Sequence, residues 1–84
     1  MTRSNVGKRK PTRSASPLVR ALFAAVEVSG KNYRDIGYAA GIDYKSLSMW
    51  KHGHHAPRLV DFENVAQVLG YSIELTPIDV DNGL

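Results

Sequence analysis

The sequence predicts an all-α domain: a compact bundle of short helices with a central helix-turn-helix, a basic N-terminal arm and a short C-terminal β-strand. Three observations predict it. Residues 32–53, NYRDIGYAAGIDYKSLSMWKHG, put glycines, small residues and apolar residues where two short helices crossed over a tight turn need them. Apolar residues recur at helical spacing on either side of that stretch, and alternation of period two is confined to residues 71–76.

Each element follows from its residues. Positions 1–15 hold Arg3, Lys8, Arg9, Lys10 and Arg13, no acid and little that can be buried, so a disordered arm is expected. Ser16 and Pro17 then supply an N-cap and a first-turn proline. Leu18, Leu22 and Val26, flanked by Val19 and Phe23, mark an amphipathic first helix ending near Gly30. Tyr33 to Ala40 is a short second helix with Ile36 and Ala40 on its inner face and Arg34, Asp35 and Tyr38 turned outward. Gly41 stands where a left-handed residue ends it, a conformation unfavourable by about 1 kcal/mol or more with a Cβ. Ile42 plugs the corner and Asp43 caps a third helix starting at Tyr44. On a wheel of about 100° per residue, Leu47 and Trp50 share the inner side, and Tyr44, Lys45, Ser48, Met49 and His52 form a polar, basic and aromatic stripe.

After a loop from Gly53 to Pro57, Leu59, Phe62, Val65, Ala66 and Leu69 define a last helix, stopped by Gly70. Tyr71 to Thr76 alternates apolar and polar residues and reads as a half-buried strand ended by Pro77, with residues 77–84 a short acidic tail. No other segment reads as a strand. Pairing of Tyr71, Ile73 and Leu75 with the same segment of a second copy, in a two-fold homodimer, is therefore expected; the other arrangement is an extended tail packed on its own first helix.

Composition and charge narrow the class. A chain of 84 residues with no cysteine is expected to be one small domain without disulfides or thiolate metal sites, and residues 16–76 are its expected folded part. No stretch has the roughly 20 apolar residues of a membrane span, nor an apolar signal-peptide core, so a soluble cytoplasmic protein is expected. The net charge of +3 is strongly polarised: residues 1–58 carry all 11 Lys and Arg and three acids, a balance of +8, whereas residues 59–84 carry five acids and no base. A basic half of this kind is the electrostatic footprint of a nucleic-acid binder.

The helix-turn-helix resembles that of the Cro/C1-type (XRE) family of phage and bacterial repressors. The matching residues are Gly37 where the helices touch, the turn Gly41, the corner Ile42, Leu47, and the closing Trp50 and Gly53; Pro57-Arg58-Leu59 with Phe62, Val65, Ala66, Leu69 and Gly70 resembles the family's later helix. It covers roughly residues 16–76. Gly37 replaces the usual alanine, an expected loss of up to about 1 kcal/mol in helix propensity, and Lys51-His52 makes the motif's end more basic than usual. The resemblance implies a lambda-repressor-like bundle that binds double-stranded DNA.

On that reading, base edges are met by Tyr44, Lys45, Ser48 and Met49: Lys45 on a guanine, Ser48 on several bases, Tyr44 or Met49 on a thymine methyl. For Tyr44 and Met49 the alternative is covering the neighbouring helix. Tyr33, Arg34, Ser46, Lys51, His52 and Arg58 are the expected backbone contacts. The arm, through Arg3, Lys8, Arg9, Lys10 and Arg13, would wrap the duplex or enter the minor groove, or else remain a solvated tail.

Neither a metal nor a cofactor is expected. His52, His54 and His55 lack a cysteine or well-placed carboxylate to complete a shell, and no phosphate loop, dinucleotide glycine pattern or nucleophile elbow is present, so the chain reads as a non-enzyme. The expected function is a dimeric repressor of a phage, prophage or mobile-element promoter, acting in the bacterial nucleoid or a phage-infected cell. The alternatives are an antitoxin that also represses its own operon, whose protein partner would be a toxin, and an architectural or excision factor.

Overall fold

The computed structural model describes residues 11–79, and its elements follow the caps. The Ser16 side chain accepts the Val19 N–H at 3.2 Å and Pro17 begins α1, Pro17–Ser29. Its inner face is Val19, Leu22, Phe23 and Val26, spaced three, four and seven residues apart. The Ser29 hydroxyl donates to the Val26 carbonyl at 2.7 Å and accepts the Lys31 N–H at 3.0 Å, so one hydroxyl satisfies two backbone groups at the end of the helix.

Asn32 caps α2, Tyr33–Ala40, by accepting the Asp35 N–H at 2.8 Å. Gly41 closes it in the left-handed region at φ 76°, with its N–H directed to the Tyr38 carbonyl and the Ile42 N–H to that of Gly37, the paired bonds of a Schellman turn. Asp43 then accepts the Lys45 N–H at 2.9 Å and opens α3, Tyr44–Lys51. After a loop comes α4, Leu59–Val68, which has no side-chain cap; Arg58 stands at its N-cap position, with its Nε 3.3 Å from the Asp61 carboxylate.

The core is a single cluster. Val19, Leu22, Phe23 and Val26 of α1 meet Ile36 of α2, Leu47 and Trp50 of α3, and Phe62, Val65 and Ala66 of α4. Ile36, Leu47 and Val65 are sealed completely, each burial contributing about 1.5–3 kcal/mol. Helix α2 packs on both α3 and α4, and α1 packs on α3. Tyr33, Ala40, Ile42, Val68, Leu69 and Ile73 close the edges, Tyr33 by a tilted ring contact with Phe23 at 5.9 Å. The described residues thus form a small all-helical four-helix domain.

Four features differ from the sequence expectation. Among the described residues there is no β-strand: residues 71–79 carry no regular structure, because a strand needs a paired neighbour and one chain offers none. Within that segment Ile73 is half-buried against the core, whereas Tyr71 is exposed and Leu75 is fully so. Leu18 and Leu59 do not enter the core: they stand in the first turns of α1 and α4, where with Pro57 and Phe62 they border a shallow apolar hollow between the N-terminal ends of the two helices. Residues 13 and 14, expected in the arm, are held by the fold. The Arg13 N–H donates to the Lys51 carbonyl at 2.7 Å, and the Ser14 carbonyl accepts from Arg20 at 2.9 Å. A carbonyl left over at the C-terminal end of α3 is thereby satisfied. Fourth, Lys51 is buried, as set out below. No helix among the described residues is long and apolar enough to cross a membrane.

Candidate nucleic-acid interface

Helix α3 divides its residues sharply. Leu47 and Trp50 enter the core on one side, while Tyr44, Lys45 and Met49 are exposed and Ser48 is half-exposed on the other. The exposed four lie at positions i, i+1, i+4 and i+5, an arc of about 140° along the helix. They form one continuous stripe. Beside it, Lys45, Ser46, Met49, Trp50 and His55 line a shallow hollow, so Ser46 lies at the stripe's edge, half-buried.

The backbone-contact candidates are distributed unevenly. Arg34 is exposed on the first turn of α2, and its guanidinium carbon lies over the Tyr44 ring, 4.9 Å from the centroid. Tyr44 thus touches the neighbouring helix and is still 37% exposed. His52 is half-buried beyond α3, with its ring 6.0 Å from that of His54. The Arg58 side chain is 85% exposed, and its contact with Asp61 is a surface pair worth at most about 1 kcal/mol. Tyr33 is half-buried, its ring 5.9 Å from that of Phe23.

Lys51 departs furthest from expectation. It is 8% exposed, and its main chain is engaged by Arg13, so it is not a surface cation reaching for phosphate. The signal was present: Lys51 is four residues from Leu47 and next to Trp50, on the inner side of the wheel.

Arg3, Lys8, Arg9 and Lys10 lie outside the described residues, as does the end of the acidic tail. Arg13 is exposed beside the end of α3. Sequence reasoning missed the Arg34–Tyr44 pair, whose two members were assigned separate tasks, and gave no task to Tyr38, which is 91% exposed one turn after Arg34. The signal for the pair was Gly37, three residues after Arg34 and on its side of α2, where the lack of a side chain lets the start of α3 approach. No group of three or more metal-ligating side chains is gathered among the described residues.

No family model, curated protein or solved structure matches the chain. The likeness to repressors rests on the sequence pattern alone.

Proposed function

We propose that this domain is a sequence-specific double-stranded DNA-binding regulator, a dimeric repressor that reads an inverted repeat through the major groove. The observation that carries this reading is the division of α3. A short helix anchored by Leu47 and Trp50 presents Tyr44, Lys45, Ser48 and Met49 as one outward stripe, with Arg34 over Tyr44 at its start and Arg58 exposed ahead of α4. A helix about 10–12 Å across with its side chains fits a major groove about 12 Å wide. Specificity then comes from the stripe and register from the flanking cations. The lambda-repressor-like family membership suggested by the motif belongs to the same proposal.

Dimerisation is supported by the tail. Ile73 ties the segment to its own core, while Leu75 and Ile78 have apolar side chains in solvent. Pairing of Tyr71–Thr76 with its copy across a two-fold axis would cover Leu75 and supply the missing strand partner. The same exposed residues favour, as a second reading, an antitoxin whose tail engages a toxin.

Selection from randomised duplex DNA at about 150 mM salt tests the function. A palindromic site with half-site centres about 10 base pairs apart is expected. No enriched sequence from folded protein would overturn the regulator reading.

A further inference from the structure

Arg34 and Tyr44 come from different helices, yet the fold presses them together. Gly37 lies three residues after Arg34, and a Cβ there would stand 3.2 Å from the Tyr44 nitrogen and 3.4 Å from its Cα. The first residue of α3 therefore rests on the bare stretch of α2, and its ring reaches back under the guanidinium at 4.9 Å. Both side chains are exposed at the N-terminal end of the stripe.

We propose that Arg34 and Tyr44 act as one reading unit for a thymine–guanine step, with Arg34 forked onto guanine O6 and N7 and Tyr44 against the thymine methyl. This rests on the DNA-binding reading and assigns Arg34 to a base rather than to phosphate. The chemistry follows from the contact. The Arg34 guanidinium, held 4.9 Å from the ring centroid, carries five N–H donors, and two of them match the paired acceptors of guanine in the major groove. The contact also restricts a long side chain before DNA arrives, so less freedom is lost in binding. Adjacent bases are stacked about 3.4 Å apart, close enough for the guanidinium and the ring to address neighbouring bases. A lysine at position 34 would keep the charge and lose the fork.

The test has two arms. In free protein, the Arg34 side-chain NMR signals should carry the ring-current shift of Tyr44, retained in Tyr44→Phe and lost in Tyr44→Leu; signals identical in all three overturn the unit. In binding, sites selected by the wild-type protein should contain a thymine–guanine step in each half. Replacing that guanine with 7-deazaguanine should weaken binding about five- to a hundredfold, and deoxyuridine for the thymine should weaken it less. Arg34→Met, which keeps an unbranched stem and removes every donor, should lose the response to 7-deazaguanine while its melting temperature stays that of wild type. Enriched half-sites without the step, or an Arg34→Met protein that still discriminates guanine from 7-deazaguanine there, overturn the proposal while leaving the regulator reading intact. A wild-type protein that enriches no site overturns both, and does so before any variant is made.

Discussion

The carbonyl oxygen of Ile42 lies 2.7 Å from where a Cβ on Gly37 would stand, so the turn between α2 and α3 is closed to any side chain at position 37. Gly37 therefore serves more than the small-residue requirement seen in the sequence. Alanine gains about 1 kcal/mol of helix propensity at such a site. Here that gain is outweighed, because the opposing atoms are main chain and cannot rotate aside.

Gly37→Ala is accordingly expected to destabilise the domain by about 1–3 kcal/mol, read as a lower denaturation midpoint in urea with an unchanged slope. A variant as stable as wild type would mean that the two helices can separate at no cost.

Gly53 holds the other close approach. Its φ is 79°, and a Cβ would meet the Arg13 carbonyl at 3.2 Å. Gly53→Ala should loosen residues 13–16 from the end of α3. Hydrogen exchange should report it: the Arg13 amide, bonded to Lys51, is expected to exchange faster, while amides within α4 change less.

Lys45 and Arg58 should separate by specificity. Lys45→Ala is expected to reduce affinity for the selected site by about 1–3 kcal/mol while sparing random DNA, whereas Arg58→Ala weakens both alike and lowers the salt slope by about one. Titrations at three salt concentrations distinguish them. The reverse pattern would exchange their assignments.

Leu75→Asp leaves the core untouched, because Leu75 is wholly exposed in the single chain. Sedimentation should find a monomer where the wild-type protein is a dimer, with monomer helicity unchanged. A variant that remains dimeric rejects pairing through Tyr71–Thr76.

How much was legible in the sequence depended on how local each cause was. Ser16 and Asp43 cap the residues that follow them, Gly41 turns the chain by itself, and Leu47 and Trp50 mark an inner face by spacing, so α1 to α3 could be read along the chain. Leu18 and Leu59 fitted the same spacing and fell outside, because the edge of an apolar face is set by what packs against it. The hold on Arg13 left no trace in composition, since it is a main-chain hydrogen bond to a distant carbonyl. The outward stripe of α3 was legible from periodicity. The contact of Arg34 with Tyr44 needed the crossing of two helices, a tertiary quantity.

The bond from Arg13 to Lys51 also works as a tether of fixed length. It fixes the point at which position 13 joins the end of α3, so on the proposed DNA-binding reading the charge of Arg13 is presented from a set place rather than from a free end. Breaking that one main-chain bond would let this cation drift from α3 without altering a single charge.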